Sequence, residues 1–95
     1  MYTWPEIKEY IEELLNNSNN DFDKETIDFI RHYIEYDEFE MAFEALLIEM
    51  INSKKYWHIN KKKAKEIALV LKLDKEPIYD FDFWKKFESF ITEGN

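Results

Sequence analysis

The stretch from Glu38 to Asn52, EFEMAFEALLIEMIN, constrains the fold more than any other part of the chain. Wound at about 100° per residue, it places Phe39, Ala42, Phe43, Leu46, Leu47 and Met50 on one broad face. The far side is not polar, because Met41, Ala45 and Ile48 recur there at helical spacing. Only two narrow rows, Glu38 with Glu49 and Glu40 with Glu44, remain charged. A helix apolar on two faces is normally enclosed by other helices. The alternative is that the second face, with its flanking carboxylates, is a docking surface, and both hold if a partner covers part of the helix.

The flanking segments supply candidates for the enclosing helices. Thr3-x-x-Glu6 is a capping box with Pro5 in the first turn, and Tyr2 and Ile7 stand at the spacing of a hydrophobic staple. Trp4, Ile7, Ile11, Leu14 and Leu15 form the expected buried stripe, opposite an acidic row of Glu6, Glu9 and Glu13. The helix stops in Asn16-Asn17-Ser18-Asn19-Asn20, whose side chains compete with the backbone for hydrogen bonds. Asp23 caps a second helix with Ile27, Ile30, Tyr33 and Ile34 inward. Phe29, His32 and Tyr36 make a separate aromatic row, either packed on a neighbour or exposed for binding. Asp37 with Glu40 resembles another capping box. The Tyr36-Asp37 join holds no Gly or Pro, so a tight corner and a bent continuation both remain open.

After Ser53 the charge reverses: Lys54, Lys55, Lys61, Lys62, Lys63 and Lys65 occur with no acid between them, around Tyr56-Trp57-His58-Ile59. Asn60 caps a fourth helix with Ala64, Ile67, Ala68 and Leu71 inward, although three lysines in its first turn oppose the helix dipole. A break at Lys75-Glu76-Pro77 precedes a short last helix carrying Trp84, Phe87, Phe90 and Ile91. Gly94-Asn95 reads as a frayed end. The expected fold is all-α, a small bundle of about five helices around the central helix 38–52, in one domain over residues 1–95.

Composition limits what such a bundle does. A single Gly leaves no phosphate-cradling loop, and the absence of Cys removes thiolate chemistry and any sign of an oxidising compartment. His32 and His58 are isolated, with no HExxH. The units Asp21-Phe22-Asp23 and Asp80-Phe81-Asp82 fall at helix starts, where aspartate is expected as a cap rather than as a metal ligand. Paired acids such as Glu12-Glu13 are commonplace in an acidic helical chain. No enzyme, cofactor or metal is expected. The opening MYTWPEIKEY lacks the basic and apolar regions of a signal peptide, and no apolar run is long enough to span a bilayer, so a cytoplasmic protein is expected. The net charge of −8 disfavours nucleic acid and membrane surfaces as partners and favours a basic protein. The lysines interleaved with aromatics imitate a single-strand binding site, but no recognised nucleic-acid motif accompanies them.

The run Phe29-Ile30-Arg31-His32-Tyr33-Ile34-Glu35-Tyr36-Asp37-Glu38-Phe39-Glu40-Met41-Ala42-Phe43-Glu44-Ala45-Leu46 resembles the central signature of the MafI-type immunity proteins. These are small helical antidotes encoded beside polymorphic toxins of bacterial interference systems, including contact-dependent growth inhibition. The resemblance rests on Glu35, on the step Glu38-Phe39-Glu40, on Ala42 and on the finish Leu46-Leu47. It extends loosely to about Leu71 and fades at both ends. The lysines Lys61 to Lys63 have no place in the family pattern, and the Tyr-Tyr-Pro element of the DNase-colicin immunity proteins is missing.

The resemblance implies a protein that binds the C-terminal domain of a cognate toxin, a basic nuclease and most simply an RNase, and masks its active-site region. The residues expected to meet that partner are Phe29, His32, Glu35, Tyr36, Asp37, Glu38, Glu40 and Glu44. Charge alone is equally consistent with an acidic regulatory module that has no toxin partner. Self-association is left open.

Overall fold

A computed structural model describes residues 2–53 and 59–93. The expectations for Lys54, Lys55, Tyr56, Trp57 and His58, and for the Gly94-Asn95 end, lie outside these residues. The described residues form an all-α bundle: α1 (Trp4–Asn17), α2 (Lys24–Glu35), α3 (Phe39–Ser53), α4 (Lys61–Val70) and α5 (Phe83–Glu93). None of these helices is long and apolar enough to cross a membrane.

The α3 helix is the centre. It packs against α1, α2 and α5, and Phe39, Ala42, Phe43, Leu46, Leu47 and Met50 are all buried. On its far side Met41, Ala45 and Ile48 are half-buried, so that face is covered in part only. Ile7, Ile11, Leu15, Ile30, Ile67, Phe83 and Phe87 close around the α3 side chains in one core. The radius of gyration is 12.1 Å, close to the ~12 Å of a packed chain this long.

Local signals set most helix ends. The Thr3 hydroxyl accepts the Glu6 N–H at 3.3 Å while the Glu6 carboxylate accepts the Thr3 N–H at 2.8 Å, completing the capping box. The Asp23 carboxylate accepts the Thr26 N–H at 2.8 Å, and the Asn60 side chain accepts that of Lys63 at 3.0 Å.

The join between α2 and α3 is a tight corner. The Asp37 N–H donates to the Ile34 carbonyl at 3.1 Å, and the Glu38 N–H donates to the Tyr33 carbonyl at 2.9 Å. Asp37 itself adopts φ +57°. These are the bonds and the left-handed residue of a Schellman cap. Asp37, expected to open α3 with a capping box, instead closes α2. The same device ends α4, where Lys72 has φ +60° and the Leu73 N–H reaches the Ala68 carbonyl at 3.0 Å.

Two further expectations are corrected. Trp4, placed in the α1 core stripe by periodicity, is 55% exposed; it is the first residue of the helix and reaches only the rim, 6.1 Å from the Phe39 ring. Tyr10 is buried in its place deeper in the stripe, edge-on to Phe43 at 6.1 Å, with its hydroxyl 3.4 Å from the Asn60 carbonyl it donates to. Burial pushes the Tyr10 phenol up from its ordinary value.

The lysines of α4 are partly spent on the fold. The Lys63 ammonium lies 4.9 Å from the Tyr10 ring centre and 5.8 Å from that of Tyr2, within the range of a cation–π contact. The Tyr2 hydroxyl donates to Glu66 at 2.7 Å, and Lys65 pairs with Glu88 of α5 at 3.6 Å.

Two stability predictions follow from these caps. A left-handed L-residue costs about 1–2 kcal/mol, against about 0.5–1 kcal/mol for the extra unfolded freedom of Gly. Lys72→Gly therefore raises the unfolding free energy by about 0.5–1 kcal/mol in urea titrations at unchanged m, and Lys72→Val lowers it by about 1 kcal/mol; the reverse order would contradict the turn geometry. The Thr26 amide holds the Asp23 carboxyl below its ordinary 3.8. A depressed folded-state pKa gives stability that is complete above the unfolded value and lost as pH falls through the folded one. The deficit of Asp23→Ala relative to the parent chain is accordingly constant near neutrality and shrinks below pH 3.8, as read by thermal unfolding at stepped pH.

Candidate functional site

The corner between α2 and α3 gathers most of the residues singled out by sequence. The aromatic row on α2 is open to solvent: Phe29 is 48% and Tyr36 65% exposed, with His32 exposed between them. The rings touch in series along the helix. Phe29 lies edge-on to Tyr33 at 5.0 Å between ring centres, and His32 lies 6.0 Å from Tyr33 and 4.8 Å from Tyr36. The i, i+4 contacts Phe29–Tyr33 and His32–Tyr36 hold large apolar groups in fixed positions at small entropic cost.

Around the end of this strip stand the acids. Glu35, Asp37 and Glu38 are exposed and Glu40 is half-buried, and none of the four forms an ion pair with a described residue. The charges of Glu35, Asp37 and Glu38 therefore face solvent and are not neutralised by any described residue. Glu40 and Asp37 also border a cleft of about 540 Å³ with Trp4, Pro5, Lys8 and Phe39. The exposed Trp4 thus joins α1 to the same corner.

Glu44 does not belong with them. It is fully buried, and its carboxylate accepts three consecutive backbone amides: Ile78 N–H at 2.6 Å, Tyr79 N–H at 2.9 Å and Asp80 N–H at 3.1 Å. A buried carboxylate needs full hydrogen bonding, and a run of amides facing one way is a natural anion seat. Its placement on the docking surface is corrected to a structural clamp. The sequence did hold a sign of this. Glu44 has Leu47 and Ile48 at i+3 and i+4, so it sits in an apolar arc where a solvated acid has no place.

The clamp positions a loop that sequence reasoning passed over. Residues 77–82 form the second half of the connection from α4 to α5 and present Ile78, Tyr79 and Phe81 outward, Phe81 being 96% exposed. Asp80 completes the loop by accepting the Asp82 N–H at 2.9 Å and the Lys86 ammonium at 2.7 Å. Lys86 holds the Asp80 carboxyl below the usual carboxylate range. The two Asp-Phe-Asp units thus do backbone work through Asp23 and Asp80.

Tyr79 brings the loop onto α2. Its ring centre lies 6.4 Å from Phe29 and 6.5 Å from Tyr33, and burial followed by hydrogen bonding to Tyr33 pushes its phenol up from the ordinary value. Between α2 and α3, beside Tyr79, lies a groove of about 400 Å³ lined by Phe29, Ile30, Ala45 and Ile48, with Asp23, Glu25, Thr26 and Glu49 completing it.

Glu44→Gln replaces one accepting oxygen by a donor facing amide donors. The expected loss is about 2–4 kcal/mol of unfolding free energy, together with faster hydrogen exchange at Ile78, Tyr79 and Asp80. A variant within about 0.5 kcal/mol of the parent, with those amides still protected, would show that the clamp is dispensable.

Comparison with family models, with curated proteins and with solved structures yields no match to this chain.

Proposed function

We propose that this protein is an immunity protein, one that binds a cognate bacterial toxin and neutralises it by covering its basic, substrate-binding region. The observation that carries the reading is the exposed corner in which Glu35, Asp37 and Glu38, with no ion pair to a described residue, stand beside the solvent-facing strip of Phe29, His32 and Tyr36. A nuclease must be electropositive where it binds phosphates. An acidic surface of fixed shape competes for that region, and complementary charge raises the rate of encounter. Aromatic side chains already held in place add contact area with little entropy left to lose.

The resemblance of Phe29–Leu46 to the MafI-type immunity signature supports the same reading, and so does the net charge of −8. The toxin is most simply an RNase, the site of action is the cytoplasm, and this chain makes and breaks no bonds itself. Two lysines of the stretch that imitates a nucleic-acid site, Lys63 and Lys65, are engaged with Tyr2, Tyr10 and Glu88.

The expected partner is a toxin C-terminal domain encoded by a neighbouring gene, and co-expression with such a domain is the test. Glu35→Lys/Glu38→Lys, both on exposed positions, leaves the helical circular dichroism unchanged and abolishes protection of cells. In stopped-flow mixing the parent chain's association rate falls steeply between low and high salt, and the double variant's is slower by about ten-fold or more at low salt. Full protection by the double variant would refute the placement at this corner.

A further inference from the structure

The groove between α2 and α3 has a composition that neither the acidic corner nor the core requires. Its floor is apolar, with Ala45 and Ile48 from the second face of α3 and Ile30 and Phe29 from α2. Tyr79 makes one wall, held in place by its backbone amide bonded to Glu44 and by ring contacts with Phe29 and Tyr33. Among the described residues, the charged ones lining the groove are Asp23, Glu25 and Glu49, with no Lys, Arg or His. Asp23 keeps its charge through the helix cap it makes at Thr26.

We propose that this groove is an anchor pocket for one apolar side chain, aliphatic or aromatic, projecting from a basic segment of the partner protein, with Lys or Arg residues on either side of that side chain meeting Asp23, Glu25 and Glu49. The proposal rests on the reading of the partner as basic and adds where and through what chemistry it is gripped. An apolar floor ringed by acids rejects an acidic segment by repulsion. It also rejects a wholly polar basic segment, which leaves the floor hydrated. A second copy of this chain is a poor occupant for the same reason, since two molecules of charge −8 would meet across like-charged rims. The fixed Tyr79 wall means that the pocket exists before the partner arrives, so little ordering is needed on binding.

The volume, about 400 Å³, falls in the range of small-molecule and side-chain pockets, ~300–1,000 Å³. Phe29 belongs both to this groove and to the aromatic strip of α2. The pocket and the acidic corner are therefore continuous along one helix. A partner engaging both would be read at two points, by charge near the corner and by shape at the groove.

Nitrogen-15 NMR titration tests the pocket with defined peptides: acetyl-Lys-Lys-Trp-Lys-Lys-amide, the same peptide with Ala at the centre, and acetyl-Glu-Glu-Trp-Glu-Glu-amide. The expected result is that the first shifts the amides of Phe29, Ala45, Ile48 and Tyr79 and binds about ten-fold more tightly than the second, while the third causes no shift. Ala45→Arg, which fills the groove, and Glu49→Lys, which reverses its rim without touching the floor, each weaken the first peptide by about ten-fold or more. Equal binding of the Trp and Ala peptides would overturn the pocket. Shifts confined to residues 35–40 would overturn it too, while leaving the acidic corner as the contact surface. If no basic peptide shifts any amide, the reading of a basic partner falls with it. A dimer of the free chain in sedimentation that Ala45→Arg dissociates would replace the proposed occupant by a second copy.

Discussion

One carboxylate in the middle of the central helix ties the two ends of this bundle together. Glu44 lies on α3 with no access to water, and the groups that satisfy it are three consecutive amides more than thirty residues away in sequence. Charged acceptors make hydrogen bonds about twice as strong as neutral ones, and the three amides in turn supply the partners that a carboxylate without access to water requires. The interaction therefore stabilises α3 in its slot and the α4–α5 loop in its path at once. Without it, nothing in the loop's own sequence of Pro77, Ile78 and Tyr79 favours holding apolar side chains toward solvent.

The consequence is a surface assembled from elements that share no local signal. The loop delivers Tyr79 against Phe29 and Tyr33 of α2, and the Schellman corner at Asp37 sets α3 directly behind that strip. Apolar groups then line a groove whose rim is acidic, while the unpaired acids cluster at the turn. Net negative charge is usually a matter of solubility and steering. Here it is arranged around exposed rings, which is how an interface combines fast encounter with a few desolvated anchors.

The basic side of the molecule has a different logic. Lysines at the start of α4 work against the helix dipole, yet Lys63 lies over two tyrosine rings of the N-terminal segment and Lys65 faces Glu88. Together with the Tyr2–Glu66 and Tyr10–Asn60 hydrogen bonds, the Lys63 contacts tie α4 to the N-terminal segment and α1, while Lys65 ties it to α5. That interface is more polar than the one around α3. Some of the lysine charge at the start of α4 thus serves the fold.

Periodicity and caps by themselves determined the helical class, the number and order of the helices, and the central position of the 38–52 stretch, because apolar spacing and the side chains of Thr3, Asp23 and Asn60 act over only three or four residues. They also marked out Phe29, His32 and Tyr36 as a face apart from the core. Tertiary structure alone decided that this face stays open, that Trp4 gives up its core place to Tyr10, and that Asp37 turns the chain instead of starting a helix. It also set the outcome for Glu44 and Glu40, one turn apart on the same helix, by bringing a row of amides to one and a cleft at the rim to the other. Burial of a charge depends on what the rest of the chain can offer it, and that is written in no single segment.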